Sequence, residues 1–182
     1  EPGETPVSRR AAAASLLNQL KRTPQELRLL ALAELDHVSG VEVSASDRRW
    51  STAMTWDQVR SMAKAGMEIG SHSVSHPVLS AITNPTELSH ELEASKATIE
   101  HEVGRPVTAL AYPVGGRNAI SPEVLTATRH AAYDLAFTYE SGTNRVSAWD
   151  PLQLKRIRVE RYTTRSRFAA ALELPELFVE RG

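Results

Sequence analysis

From residue 55 to residue 172 the sequence alternates between helical and extended patterns over short connections, and proline or glycine marks nearly every switch. "TWDQVRSMAKAG" (55–66) reads as a short helix with a glycine stop, and "MEIG" (67–70) as a short strand. "NPTELSHELEASKATIEHEVG" (84–104) is a long helix, with Pro85 near its start and Gly104 at its end. "PVTALAYP" (106–113) is a mostly apolar strand running into a Gly-Gly turn. "SPEVLTATRHAA" (121–132) is a further helix. "YDLAFTY" (133–139) and "LKRIRVE" (154–160) read as strands, and residues 164–172 as a final helix. Such alternation is satisfied by a parallel sheet with helices packed outside it.

The first 45 residues differ. Residues 1–7 form a Pro- and Gly-containing lead-in, and the alanine-rich run 8–22 favours helix. In "TPQE", Thr23 suits an N-cap, Pro24 the first helical position, and Glu26 a capping box. Leu27, Leu30, Ala31, Leu35 and Val38 then recur at helical spacing up to Gly40, which predicts a helical hairpin whose leucine stripe packs into a core.

One loop carries chemistry. In "GSHSVSHPVL" (70–79), His72 and His76 stand four apart, each beside serine. Ser71, Ser73, Val74 and Ser75 are poor helix formers, and Pro77 biases His76 toward extended backbone, so the pair belongs on a loop after a strand. Sites in parallel α/β folds collect at such positions. Both imidazoles could turn toward one cation, with the serines fixing the ring tautomers; the alternative is a polar surface loop. The chain has no cysteine, so any metal must sit on His, Asp, Glu or backbone oxygen. His90 and His101 fall in the long helix beside Glu91, Glu100 and Glu102, a pattern that reads as a solvated face; His37 and His130 lie near helix ends. A net charge of −1 gives no reason to expect nucleic acid or an anionic membrane surface, and no run is long and apolar enough to span a bilayer. Absent cysteine leaves the compartment open between cell envelope and cytoplasm.

The stretch "TWDQVRSMAKAGMEIGSHSVSHPVLSAI" resembles the polysaccharide deacetylase family, carbohydrate esterase family four. His72-Ser73-Val74-Ser75-His76-Pro77 matches its His-Ser/Thr-x-x-His-Pro loop. "ALAYPVGG" is similar to the family's third motif in a variant branch, and "LKRIRV" resembles a late strand of that branch. The resemblance spans about residues 54–159 and implies a distorted (β/α) barrel, here without its first strands. Residues 1–45 then resemble a helical insertion found in some members, and residues 46–182 the C-terminal part of the domain. Missing strands would leave sheet edges that a second copy of the chain could cover.

The resemblance further implies an N-acetylated carbohydrate substrate and a divalent metal, zinc in the first instance, held by one Asp and by His72 and His76. It implies the Val114 N–H as an oxyanion donor and places Tyr112 and Pro113 in the substrate-facing wall. Three departures stand out. No Asp-Asp pair occurs; the aspartates are Asp36, Asp47, Asp57, Asp134 and Asp150, and none has the surroundings of the family's metal-binding motif. Ala111 stands where many members carry Arg. The late Leu-x-His motif reads Leu154-Lys155-Arg156, and a guanidinium, which holds its proton far above neutral pH, is no proton donor there. Arg156 could hold an anionic or hydroxyl-rich substrate, or be an ordinary strand arginine. The leading expectation is a metal-dependent hydrolase removing N-acetyl groups from a polysaccharide, with this chain alone weak in metal binding and catalysis. A non-catalytic carbohydrate-binding relic of the same fold is the alternative, and a different metal-dependent barrel hydrolase a third.

Overall fold

The computed structural model describes residues 6–41 and 53–178. The chain divides into two compact units, Glu1–Thr55 and Trp56–Gly182. The boundary expected between residues 45 and 46 lies outside the described residues.

The first unit contains α1 (Pro6–Arg22) and α2 (Gln25–Ser39). The capping box expected from Thr23 and Glu26 does not form. The Thr23 hydroxyl turns back to donate to the Gln19 carbonyl at 2.9 Å, closing α1, and Pro24 becomes the N-cap of α2 without a side-chain hydrogen bond. Gly40 ends α2 as expected, in the left-handed conformation (φ 57°). The leucine stripe is a second correction: Leu27, Leu30, Leu35 and Val38 are exposed rather than packed. The reason is area, since two short helices offer too little apolar surface to enclose a core.

The second unit is built on a three-stranded parallel sheet in the order β1 (Ala109–Ala111), β2 (Leu135–Ser141), β3 (Leu154–Arg156). Ala109 pairs with Leu135 and Ala111 with Phe137; β3 pairs with β2 from Leu154 to Arg156 across an irregularity. The strand expected at 67–70 contracts to one parallel bridge, Ser71 to Leu110. Gly66, at φ 92°, turns the Met67 N–H back onto the Met62 carbonyl, so only Ser71 exchanges main-chain bonds with β1, at 2.8 and 2.9 Å.

Helices α3 (Trp56–Lys64), α4 (Pro85–Val103), α5 (Pro122–His130) and α6 (Arg165–Glu173) complete the unit. Their ends follow the sequence signals. The Asn84 side chain accepts from the Thr86 N–H at 2.9 Å, Ser121 and Thr164 cap α5 and α6, and Gly104 closes α4 at φ 70°. Lys96 of α4 donates to the Ala131 and Ala132 carbonyls at the end of α5, tying the two helices together.

Strand alternation sets the core. Leu110 and Ala136 face the helices and pack with Leu88, Leu92, Val124, Tyr133 and Leu152. Ala109, Ala111, Leu135 and Phe137 face the other way and line an open cavity of about 430 Å³ with Glu68, Gly70, Ser71 and His72. Among the described residues the sheet is open, with no closed barrel.

The same alternation corrects the reading of Tyr112. Two residues after Leu110, it points inward and is 1% exposed; its hydroxyl donates to the Leu152 carbonyl at 3.0 Å. Burial raises its phenol pKa above the ordinary value, so the group stays a neutral donor. Tyr112→Phe leaves the Leu152 carbonyl without this donor and is expected to cost about 1–2 kcal/mol, a fall of a few degrees in Tm. Thermal unfolding checks it; unchanged stability combined with weakened saccharide binding would restore the substrate-facing role.

Candidate functional site

The His loop is held from three sides. From the sheet, the Ser71 bridge fixes where the loop leaves β1. The His72 Nδ1 lies 2.7 Å from the Ala111 carbonyl. A carbonyl only accepts, so in the neutral ring Nδ1 carries the proton and Nε2 is left with a free lone pair, the form a metal ligand requires.

From α4, Glu91 reaches under the loop. Its Oε2 accepts from the Val74 and Ser75 N–H groups at 2.8 and 2.9 Å, and Oε1 accepts from the Ser75 hydroxyl at 2.6 Å. One turn on, the Ser95 hydroxyl meets that of Ser71 at 2.7 Å. Glu91 and Ser95 are buried with Leu88 and Leu92 on one helical face. Glu91 is thus not on the solvated face expected for it, whereas His90 and His101 are exposed as read. The missed signal was a carboxylate at i, i+3 from Leu88 and beside Leu92, inside the apolar stripe; a charge there needs buried partners.

From within, the loop is strained and self-bonded. Ser73 and His76 have φ of 67° and 56°, and the His76 N–H donates to the Ser73 hydroxyl at 3.0 Å. Positive φ at non-glycine residues is sparsely populated and persists where surroundings enforce it. These turns bring the His72 and His76 ring centroids to 4.8 Å at an interplanar angle of 81°. Two imidazoles on one tetrahedral zinc, with Zn–N near 2.0–2.1 Å, would put their centroids about 5 Å apart. That spacing is compatible with two positions of one cation's shell. Among the described residues no cluster of three His, Asp or Glu could hold a metal, so this pair has no described third ligand.

Immediately after Ala111 the main chain forms the second half of the site. Pro113, like Tyr112, is fully buried, so neither side chain forms a substrate-facing wall; strand alternation and the turn after β1 explain why both are spent on the core. Val114 follows at φ 49°, an outlier for a β-branched residue, and its N–H makes no hydrogen bond among the described residues. Gly115 is required by close approach: a Cβ there would sit 3.0 Å from both the Tyr112 carbonyl oxygen and the Tyr139 N. Its carbonyl accepts from the Tyr139 N–H at 2.6 Å, which seats this turn against the end of β2. Arg156, at the end of β3, is exposed, with its guanidinium 4.8 Å from the centre of the Tyr139 ring. His72, the Val114 turn and Arg156 thus follow the carboxyl ends of neighbouring strand positions.

These features define a class: an open parallel α/β unit that gathers two adjoining imidazoles and a main-chain donor with no partner among the described residues at the carboxyl edge of its sheet. The family profile of polysaccharide deacetylases matches residues 37–136, and the chain belongs to that family. It is 30% identical over 122 residues to the Bacillus subtilis (strain 168) protein YxkH, which carries a polysaccharide deacetylase name; the match covers 66% of this chain and 41% of YxkH. The polysaccharide deacetylase BC0361 of Bacillus cereus superposes with a TM-score of 0.55 at 30% identity, over 66% of this chain and 37% of that one. The fold is also shared with the Streptococcus pyogenes deacetylase PplD (TM-score 0.58, 24% identity, 65% of this chain and 50% of that one). The chain therefore spans half or less of the length of these relatives.

Proposed function

We propose that this chain is part of a metal-dependent hydrolase that removes N-acetyl groups from a polysaccharide or oligosaccharide. The observation that carries the reading is the close approach of His72 and His76, with the His72 tautomer set by the Ala111 carbonyl, three residues before a Val114 N–H that has no partner among the described residues. When bound, a divalent cation, zinc in the first instance, would supply polarisation of the acetamide carbonyl and acidification of water. His72 and His76 would hold it. The Val114 N–H donates to the oxygen that gains charge at the acetyl carbon, pre-aimed by the strained turn. Arg156 stays charged throughout and binds substrate rather than transferring a proton. On this reading the third ligand and the general base come from residues other than those described, and the open cavity beside β1 is the interior of a distorted (β/α) barrel. Residues 1–45 are then the helical insertion and 46–182 the C-terminal part of the domain. Free sheet edges are covered by the remaining strands or by a second copy.

The test is acetate release from a panel of N-acetylglucosamine polymers by the full-length gene product. Release that stops with chelator and returns with Zn²⁺ is expected. Metal-loaded, folded protein that frees no acetate from any polymer, or activity indifferent to chelator, would sink the reading.

A further inference from the structure

We propose that the cavity beyond the ends of β2 and β3 binds a carboxylate-bearing sugar residue, so that the polymer this protein engages is acidic. The cavity has a volume of about 590 Å³, within the ordinary range for a small-ligand pocket, and is lined by Arg156, Arg158, Arg167, Tyr139, Tyr162 and Phe168. Three guanidiniums face a single lining carboxylate, Glu160, in a chain whose net charge is −1. Arg158 is spent on that carboxylate. Arg156 and Arg167 have no carboxylate partner among the described residues.

Both instead lie over aromatic rings: Arg156 over Tyr139 at 4.8 Å, Arg167 over Phe178 at 5.8 Å. A guanidinium over a ring is held by cation–π attraction, which consumes none of the N–H hydrogen bonds that take a carboxylate in bidentate fashion. Tyr162 and Phe168, over which no guanidinium lies among the described residues, offer flat apolar surface for a pyranose ring. Position matters as much as composition. Tyr139, which lines this cavity, is main-chain bonded to Gly115 of the Val114 turn. A polymer with its acetamide at Val114 would therefore bring a neighbouring residue to the Tyr139 side of this cavity. The register along the polymer rests on the deacetylase reading; the preference for an acidic sugar does not.

The experiment is calorimetric binding of two oligosaccharides to the full-length protein. One is a hyaluronan hexasaccharide, which alternates glucuronate with N-acetylglucosamine; the other is neutral chitohexaose. Preference for the acidic oligomer by about tenfold or more is expected, weakening as salt rises. Arg167→Gln should reduce the preference while leaving chitohexaose affinity and Tm in place, Arg156→Gln with Arg167→Gln should erase it with Tm in place, and Arg156→Lys should keep part of it. Equal affinity for the two oligomers, no binding of either, or a preference that survives the double glutamine variant would overturn the proposal. Acetate release measured in parallel separates the two readings: acidic preference without hydrolysis fails only the deacetylase reading, and hydrolysis without acidic preference fails only this one.

Discussion

Glu91→Ala is expected to lower stability by about 2–4 kcal/mol, on the order of 10 °C in Tm, and to scatter the two imidazoles. The buried carboxylate accepts three hydrogen bonds, two of them from main-chain groups of the His loop, and alanine leaves those donors unpaired. It also releases a loop that holds Ser73 and His76 at positive φ, a conformation the backbone abandons without enforcement. Amide hydrogen exchange should accelerate most at Val74 and Ser75. Glu91→Gln separates geometry from charge. Its amide oxygen can still accept both N–H groups and its NH₂ can donate to the Ser75 oxygen, so the loss should shrink to about 1 kcal/mol. An alanine variant with native Tm and native exchange at Val74 and Ser75 would remove Glu91 from the support of the site.

That carboxylate also marks the limit of what the sequence discloses. Helix ends were legible where proline and glycine mark them: Pro85 and Pro122 open α4 and α5, and Gly40 and Gly104 adopt left-handed turns whatever lies around them, whereas the N-cap read at Thr23 turns back onto Gln19. The His loop and the Pro-Gly turn were legible for the same reason, since residue order alone sets both on the carboxyl side of strands. Two things were not. One was the direction of a side chain whose fate is settled across the fold: the family resemblance puts Tyr112 in the wall of a cleft, whereas the period of two that buries Leu110 buries it as well. The other was a buried charge, because Glu91 beside His90 looks solvated until α4 is seen to lie under residues 74 and 75. The leucine stripe of α2 failed in the opposite sense. Its periodicity was real, but periodicity describes a face and supplies nothing to cover it.

Positive φ gathers around the two loops of the candidate site. Ser73, His76 and Val114 are three of the four non-glycine residues in that region among those described, the fourth being Ala132 at the end of α5. Each costs about 1–2 kcal/mol relative to an ordinary conformation, which packing elsewhere must offset. The offset is visible: Glu91 and Ser95 hold one loop, while the buried Tyr112 and Pro113 and the close Gly115–Tyr139 contact hold the other. Rigid supports beneath strained loops are what a site needs if its donors are to stay aimed with nothing bound.

Zinc titration of this chain by itself should give a dissociation constant in the micromolar to millimolar range, and His72→Ala should weaken it at least tenfold. Four-ligand structural zinc sites in small peptides are worth roughly 10–16 kcal/mol, and two imidazoles supply half of such a set, so roughly 5–8 kcal/mol is the corresponding scale. Only neutral imidazole binds metal, so affinity should fall as pH is lowered and each binding event should release protons. His76→Ala should match His72→Ala, because neither ring alone can chelate. His90→Ala and His101→Ala, on the exposed face of α4, should change nothing. A further arm reads the carbonyl that sets the tautomer: imidazole NMR on the free protein should find the His72 proton on Nδ1, as its 2.7 Å contact with the Ala111 carbonyl requires. Submicromolar affinity would mean that a third strong ligand lies within this chain, and binding indifferent to both histidine substitutions would mean that the cation sits elsewhere.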